Sequence, residues 1–421
     1  MSAPAQTTAG AATAAGGVSP LRWWVVCLLS LGMVIAYTDR VNLSAVLPEI
    51  GKNFNLNKEQ LGMTQSAFFW SYTLLQIPAG MLVDRYGVRS LYTAGFLLWS
   101  LASAATAFIT GLSSLLFLRV LVGTGEAVVT SCSLRYIASH FQEKERGSAV
   151  GVYMTGTKIG PAIGIPLAAM LAKYFGWQAM FVILGMGTLL WLAPFRAWVK
   201  RDDPAAQGRD AGAAGPKAGS VTLGRALSTP LMWGVIIGTY CYMYFVYYCM
   251  TWMPTYFREK HGMSIEKMSW FSFVSFGGMA AVAALAGWWA DRIIARGGDP
   301  IKVRKLFTIA GFVAAATQTL SVFTDSQGLM IFFTVFALCG LGLATANYWA
   351  LTQTLMPGAL PVAIQNTAAN FAGIVSPWLT GWMINKTGTF DAPIMAVGLW
   401  LLLGISAYGI LVQRKYALRN A

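Results

Sequence analysis

The sequence predicts an all-α membrane protein with twelve transmembrane helices in two six-helix halves and both termini in the cytoplasm. Three observations predict this fold. First, 56% of the 421 residues are hydrophobic and only 11% are charged, whereas a soluble domain has about 25% charged residues. Second, the apolar residues fall into twelve runs of about 20 residues, the length that crosses a bilayer. Third, lysine and arginine concentrate in alternate loops.

The twelve runs fall into two groups of six. The first six predicted spans cover 23–47, 59–83, 91–110, 112–138, 148–172 and 178–198. The second six cover 230–256, 268–290, 305–323, 328–355, 360–384 and 392–413. Between them lies a segment rich in Gly, Ala, Pro and charge, a composition typical of a linker. We therefore divide the chain into a disordered tail at 1–20, a half at 21–199, a cytoplasmic linker at 200–228, a half at 229–414 and a tail at 415–421.

The loop charges give orientation and exclude one class of partner. Most cations lie in loops on one side of the predicted spans, which places both termini and the linker in the cytoplasm. A formal net charge of +14 could fit nucleic acid, but these cations do not share one basic face, so we exclude that partner. Residues 1–20 have no apolar core and do not resemble a signal peptide. We expect a multi-pass monomer in a bacterial cytoplasmic (inner) membrane, with the lipid bilayer as its surroundings.

A loop motif occurs once in each half. The first copy begins at Gly80 and includes Asp84, Arg85 and Arg89, and the second begins at Gly287 and includes Asp291 and Arg292. Each aspartate can pair with an arginine or with amides at a helix end, which would hold the cytoplasmic side closed in one state. The alternative is a solvated charge pair. The second copy lacks a glycine equivalent to Gly87, which makes its turn harder to predict.

This G-x-x-x-D-R pattern resembles the loop signature of the major facilitator superfamily, and the resemblance covers nearly the whole chain. It implies the major facilitator fold and alternating access. A further similar element is a run of small residues in span five, Gly156, Gly160 and Gly164, with Pro161 between them. Small residues at helical spacing allow helices to pack closely, so we interpret this element as structural.

Five charged residues lie inside the predicted spans, and all belong to the first half: Asp39, Arg40, Arg119, Glu126 and Lys158. A charge at mid-bilayer costs about 2.5–3.5 kcal/mol on insertion scales, so such residues indicate function. Arg119 and Glu126 are seven residues apart and share one helix face. Two glycines between them, at positions 123 and 125, are expected to leave room for a cavity.

These side chains can handle a proton and an anion. A carboxylic acid in a low-dielectric site can hold a proton near neutral pH, so Asp39 and Glu126 are candidate proton carriers. The planar fork of an arginine matches a carboxylate, so Arg40 is a candidate anion ligand. Arg119 could pair with Asp39 and release it when the site changes occupancy. The alternative is a static ion-pair network that fixes spans one and four together.

The arrangement resembles the anion:cation symporter branch of the superfamily, which carries sugar acids, hexuronates, tartrate and phthalate. The matching residues are Tyr37, Asp39, Arg40, Tyr72, Arg119 and Glu126. The resemblance implies that Arg40 holds the substrate carboxylate, that Asp39 and Glu126 take protons, and that Tyr37 and Tyr72 lie beside the substrate. The expected function is proton-coupled symport of an organic acid anion into the cytoplasm, the substrate being a sugar acid or a dicarboxylate such as tartrate, glucarate or phthalate. An exchanger or effluxer is the alternative.

Lys158 departs from the pattern expected of a sugar-acid carrier. It lies too deep in span five to reach either surface easily. It could neutralise Glu126 or another acid, or it could supply a second positive site for a second substrate carboxylate. The second interpretation would indicate a diacid.

The second half offers only uncharged candidates. In span seven, Tyr244 and Tyr248 fall on one helical face that could meet the substrate, although packing aromatics are the alternative. Amides at bilayer depth need partners, so some of those in spans ten and eleven should face the cavity. Among them the resemblance to the family implies Asn370, because an Asn in span eleven recurs there. The histidines His140 and His261 lie in loops on opposite sides, and neither metal-ligand spacing nor a catalytic motif is present. We therefore expect no enzyme activity, no metal and no cofactor, only a proton gradient.

Overall fold

The computed structural model describes residues 21–199, 223–356 and 359–416, and the regular structure of these residues is entirely helical. The first half begins with α1 (Leu21–Asn53), α2 (Lys58–Tyr86), α3 (Val88–Ala105) and α4 (Leu112–His140). The helix Glu143–Gly187 is broken at Gly176, whose φ is 85°. We name the part before Gly176 α5. The part after it is α6, which continues through Thr188–Trp191 to Leu192–Trp198.

The second half follows a short helix at Leu223–Leu227. Its six long helices are α7 (Pro230–Glu259), α8 (Ile265–Ala295), α9 (Pro300–Ala316), α10 (Gln327–Leu355), α11 (Ala359–Thr387) and α12 (Asp391–Ile410). All twelve predicted spans are therefore present. Most helices extend a few residues beyond the apolar run, because backbone hydrogen bonding continues where polar residues reach the membrane surface. The predicted tail at 1–20 and most of the predicted linker, at 200–222, lie outside the described residues.

Most of the helices lie in segments that are apolar enough to cross a membrane by composition alone. Among the described residues, eight segments meet that standard, and one of them, Glu145–Trp198, contains both α5 and α6. The three that fall short are α2, α7 and α11, which are also helices that meet the opposite half. Their polar residues are tolerated because they face protein or a cavity instead of lipid.

The helix packing repeats after six helices. In the first half α1 packs on α5, α2 on α4 and α3 on α4. In the second half the equivalent pairs are α7 with α11, α8 with α10 and α9 with α10. The contacts between the halves obey the same relation, since α2 packs on α11 and α8 on α5, while α1 meets α7. Two structurally equivalent halves thus face each other across a pseudo-two-fold axis.

The outer side of this interface is held by ion pairs between the halves. Lys58 Nζ lies 2.5 Å from Glu259 Oε2, and Arg258 Nη1 lies 2.5 Å from Glu49 Oε1. Lys173 and Glu266 form a third pair between α5 and α8. On the cytoplasmic side, the described part of the chain has ion pairs only within each half. In this conformation, ion pairs therefore hold the two halves together on the outer side.

Candidate functional site

The centre of the first half contains a buried ion pair between α1 and α4. Arg40 Nε lies 2.8 Å from Glu126 Oε2, and the Glu126 side chain has no exposed surface. Glu126 is 14 residues from each end of α4, so the pair lies near mid-bilayer. In this low-dielectric setting the attraction is strong, and loss of either partner would leave an uncompensated buried charge.

Aromatic rings enclose the Arg40 guanidinium. Its Cζ lies 4.4 Å from the ring centroid of Tyr37, 4.5 Å from that of Tyr72 and 5.1 Å from that of Phe68. Cation–π contacts at such distances restrict the guanidinium plane while they stabilise its charge. The second half approaches the same place through Tyr247, whose ring lies 4.5 Å from that of Phe69, the sequence neighbour of Phe68. Arg40, Tyr37 and Tyr72, predicted as substrate residues, are thus together at the interface of the halves.

Asp39 faces away from its sequence neighbour and into the first half. Its carboxylate accepts hydrogen bonds from Trp99 Nε1 at 3.1 Å, Asn42 Nδ2 at 3.1 Å and Ser103 Oγ at 3.3 Å. Consecutive helical residues point about 100° apart, which explains why Asp39 turns toward α3 while Arg40 turns toward α2 and α4. The two predicted proton carriers therefore have different partners, although they lie at similar depth.

Arg119 is buried and does not form the expected ion pair with Asp39. Its Nε and Nη2 atoms have no hydrogen-bond partner among the described residues, and no carboxylate lies within 4.0 Å. Its guanidinium lies 5.9 Å from the Phe181 ring. Asp39 and Glu126 nevertheless act on it electrostatically. In this conformation Arg119 balances the two acids through space, without direct contact.

The expectation that Gly123 and Gly125 open a cavity is wrong. A Cβ at Gly123 would lie 2.3 Å from the Phe68 carbonyl oxygen of α2. A Cβ at Gly125 would lie 2.6 Å from the Gly95 carbonyl oxygen of α3. Both glycines instead let α4 approach two neighbouring helix backbones, as small residues do in membrane helix interfaces.

Lys158 does not pair with Glu126, which is already bound to Arg40. The side chain is half-buried, and no hydrogen bond or ion pair to it exists within the described ranges. It lies 15 residues after the start of the helix at Glu143 and 18 residues before the break at Gly176. The structure therefore brings Lys158 to mid-membrane depth without a protein counterion.

Tyr244 and Tyr248 do not face the first half, contrary to the prediction. Tyr244 is fully buried within the second half, with its ring 5.7 Å from that of Trp400 on α12. Tyr248 is 2% exposed and stacks on Phe245 of its own helix. Tyr247 of the same helix does reach the first half, since its ring lies 4.5 Å from that of Phe69. Helical spacing could not identify this face, because α7 is buried on nearly all sides.

Asn370 contributes to a polar contact between the halves. Gln76 Oε1 on α2 accepts hydrogen bonds from Asn366 Nδ2 at 2.9 Å and from Asn370 Nδ2 at 3.3 Å. Asn370 is 4% exposed. The predicted cavity amide is thus part of the α2–α11 interface, on the cytoplasmic side of the Ser66–Ile374 hydrogen bond.

The loop motifs form ion pairs within each half. Asp84 Oδ1 lies 3.5 Å from Arg135 Nε on α4, and Asp291 Oδ1 lies 2.9 Å from Arg304 Nη2 on α9. The motif arginines Arg85 and Arg292 do not pair with these aspartates. They lie 5.3 Å from the rings of Tyr86 and Trp288 respectively. Arg89, near the start of α3, is partly buried.

The two motif copies turn differently. Gly87, with φ 76°, both ends α2 and begins α3. The second copy continues in helical form to Ala295 and turns at Gly297, whose φ is 97°. A glycine with positive φ therefore makes the turn in each half. In the second half this glycine, Gly297, lies ten residues after Gly287, the first residue of the motif.

Sequence reasoning missed several residues that complete the site. They are Phe68, Gln76, Trp99, Ser103, Arg135, Tyr247 and Arg304. Only Gln76 carried a signal of the kind used for Asn370, an amide at bilayer depth. The others become recognisable only when distant helices are brought together. Within the described ranges, no three His, Cys, Asp or Glu side chains cluster as a metal site requires.

Comparisons with known proteins agree on the family. The sequence profile of the Major Facilitator Superfamily matches residues 29–362. The chain is 30% identical to a protein named probable anion transporter 6, chloroplastic, from Arabidopsis thaliana, over 91% of this chain and 77% of that one. It is 28% identical to the probable galactarate/D-glucarate transporter GudP of Bacillus subtilis, covering 95% and 94%. It is also 28% identical to the D-galactonate transporter of Escherichia coli O6:H1, covering 93% and 95%.

Solved structures share the fold at lower identity. A bacterial homologue of the human lysosomal transporter Spinster, in an inward-facing and occupied conformation, has a TM-score of 0.75 at 18% identity, over 96% of this chain and 100% of that one. The D-xylose–proton symporter has a TM-score of 0.75 at 15% identity, over 94% and 98%. The relatives named above are transporters of anions and sugar acids, as the resemblance implied. The chain therefore belongs to the Major Facilitator Superfamily, as a multi-pass membrane transporter and not an enzyme.

Proposed function

We propose that this protein is a proton-coupled symporter that carries an organic acid anion into the cytoplasm. The observation that carries the proposal is the Arg40–Glu126 pair, a cation held by a proton-accepting acid at the interface of the two halves. Sites at the interface of repeats near the membrane midplane are usual in such transporters.

The chemistry of Arg40 suits a carboxylate. A guanidinium has five N–H donors in a planar fork, and Glu126 takes the one on Nε. The two terminal nitrogens form the edge that matches a carboxylate bidentately. Tyr37 and Tyr72 hold the plane of this fork, so the anion would meet a preorganised ligand.

Protonation of Glu126 would convert the pair into an anion site. With both acids ionised, Asp39 and Glu126 balance the charges of Arg40 and Arg119. Each proton that binds removes one negative charge and leaves the group of four more positive by one unit. An anion then gains attraction to Arg40 that it does not have while Glu126 is ionised, which couples proton binding to substrate binding.

The fold provides the alternation that coupling requires. The outer ion pairs close the outside in this conformation, and rocking of one half against the other would break them and close the inside. The energy source would be the proton gradient, with no cofactor. We expect a monomer in a bacterial cytoplasmic membrane, although a chloroplast protein is among the relatives.

The relatives support an organic acid as the substrate. Two of them are named as transporters of galactarate, D-glucarate or D-galactonate, which are polyhydroxylated carboxylates. The tyrosines around Arg40 offer hydroxyls and ring faces, so a sugar acid fits the site and an aromatic acid such as phthalate would also fit it.

Uptake into liposomes tests the proposal. Purified protein is reconstituted, and labelled D-glucarate is followed with an acidic exterior, with the same gradient plus a protonophore, and with unlabelled D-glucarate loaded inside. Symport predicts accumulation several-fold above the external concentration with the gradient and its loss with the protonophore. Uptake that occurs only into preloaded vesicles would instead establish exchange, the second candidate function of this fold.

A further inference from the structure

Lys158 is a charged side chain that the proposed mechanism does not use. It lies at mid-membrane depth on α5, half-buried, without an ion pair in the described part of the chain. A cation at such depth is costly unless an anion or water compensates it, and the two central acids are engaged by Arg40, Asn42, Trp99 and Ser103.

The side chain lies on the face of α5 that meets the opposite half. Gly156 and Gly160 face α1, since a Cβ at each would lie 2.6 Å from Ser30 O and 2.4 Å from Tyr37 Cβ. Lys158 is two residues from both glycines, and two residues rotate a helix by about 200°, so it points away from α1. Ala169 lies eleven residues after Lys158 on the same helix, so the two side chains point within about 20° of the same direction. Ala169 lines a small cavity together with Arg258 and Ile265 of the second half.

The depth of Lys158 relative to Arg40 follows from the α1–α5 contact. Gly156 lies beside Ser30 and Val34, and Gly160 lies beside Val34 and Tyr37. Lys158 is therefore level with about residue 34 of α1. Six residues of helix correspond to roughly 9 Å, so Lys158 lies about that much nearer to the cytoplasm than Arg40. The axes of helices in contact are about 8–10 Å apart. Arg40 on α1 and Lys158 on α5 are therefore two cations on neighbouring helices beside the same interface.

We propose that Lys158 binds the second carboxylate of a dicarboxylate whose first carboxylate is bound by Arg40, so that the transporter selects dianions over monoanions. This inference rests on the proposed function. Once Glu126 is protonated, Arg40 and Lys158 are two separated positive charges without direct counterions, and a dianion compensates both. A monoanion with the same skeleton would leave the ammonium of Lys158 without a partner, at a cost in affinity.

The experiment compares acids that differ in one terminal group. D-Glucarate and D-gluconate share a six-carbon polyol chain and differ in whether C6 is a carboxylate or a hydroxymethyl group. Phthalate and benzoate repeat the comparison on an aromatic skeleton. Half-saturation concentrations are measured by counterflow in proteoliposomes, which does not require an imposed proton gradient.

The expected result is a change in selectivity. Wild type should prefer the diacid of at least one pair by about ten-fold or more, as one lost charged contact implies. Lys158→Met should raise the half-saturation for the diacid about ten-fold and leave that for the monoacid within about two-fold. Lys158→Arg, which keeps the charge, should retain most of the preference. Lys386→Ala, which removes an exposed cation at the outer end of α11, should leave both values unchanged.

Different results overturn different claims. Equal losses for diacid and monoacid in Lys158→Met and in Lys158→Gln would mean that Lys158 is a structural residue. A wild type that prefers monoacids, or a diacid preference that survives both substitutions, would also refute the inference and leave the organic acid function standing. A wild type that carries neither acid of either pair would refute the proposed function itself. Elution as a single species in detergent identifies variants that fold.

Discussion

At the residue scale, the proposed transport mechanism depends on what surrounds the guanidinium of Arg40. Arg40 makes one charged hydrogen bond and three ring contacts, and these contacts require its planar shape as much as its charge. A lysine ammonium is a point charge on a flexible stem and can neither stack nor bind a carboxylate bidentately. Substitution of Arg40 can therefore separate the effect of its positive charge from the effect of its planar shape.

Arg40→Lys should keep a counterion for Glu126 and lose the planar anion ligand. We expect the half-saturation for the transported acid to rise at least about ten-fold, equivalent to about 1.4 kcal/mol, with a small loss of thermal stability. Arg40→Ala should be far less stable, because an unpaired buried acid costs about 3–5 kcal/mol. Counterflow and melting in detergent measure the two effects.

The matched control is Arg196→Lys, an exposed arginine near the cytoplasmic end of α6, which should behave as wild type. Wild-type half-saturation in Arg40→Lys would mean that the positive charge alone suffices, or that the anion binds elsewhere.

The sequence revealed the buried charges but not their partners. Five charges within apolar runs could be identified from hydropathy alone, because the cost of burial makes such residues rare. The adjacency of Asp39 and Arg40 suggested one shared site, whereas the helix turns them toward different neighbours. The hydrogen bonds from Trp99 and Ser103 to Asp39 join residues 60 and 64 positions apart, and no local pattern predicts them.

At the scale of helices, the close packing of α1 on α5 positions Tyr37 beside Arg40. Gly160 permits this approach, since a Cβ there would lie 2.4 Å from Tyr37 Cβ and 3.0 Å from Val34 O. Glycines at four-residue spacing remove the side chains that would otherwise separate two helices. The structural role predicted for Gly156, Gly160 and Gly164 agrees with these contacts.

Gly160→Ala should therefore disturb both packing and transport. Overpacking of a tight contact lowers the free energy of unfolding by about 1–3 kcal/mol. Displacement of Tyr37 would also weaken the contact between its ring and the guanidinium of Arg40. Gly151→Ala is the matched control on the same helix, because a Cβ there meets nothing within 4 Å. Apparent melting temperatures and counterflow rates of the two variants are compared. Equal behaviour would show that the α1–α5 contact can relax without consequence.

The existence of the helices was easier to predict than the faces they present. Twelve apolar runs became twelve long helices, because membrane burial imposes a minimum length and a strong compositional signal. For α7 the same signal concealed the functional face. Its tyrosines occur on several sides of a helix that is buried nearly all round. Helical spacing therefore selected Tyr244 and Tyr248 as substrate residues, whereas the contact with Phe69 shows that Tyr247 reaches the first half.

At the scale of the whole molecule, the asymmetry between the two sides defines the conformation. Among the residues that the structure describes, three ion pairs join the halves at the outer side. A cavity of about 200 Å³ lies beside them, lined in part by Glu49, Lys173 and Arg258. The aspartates of both loop motifs pair within their own halves. The sequence could not predict this state, because an alternating transporter encodes at least two arrangements of the same helices.

Proton coupling of the transport cycle is assigned to Glu126, and the substitution Glu126→Gln, assayed in proteoliposomes, separates coupling from substrate binding. Glutamine keeps a hydrogen-bond acceptor for Arg40 but cannot bind or release a proton. Accumulation of D-glucarate is measured with an acidic exterior, and counterflow is measured without a gradient. Glu145→Gln, which removes an acid paired with Arg22 at the cytoplasmic end of α5, is the control. If protons drive uptake through this acid, Glu126→Gln loses gradient-driven accumulation and retains counterflow. Accumulation at the wild-type level in that variant would show that Glu126 does not couple transport to protons.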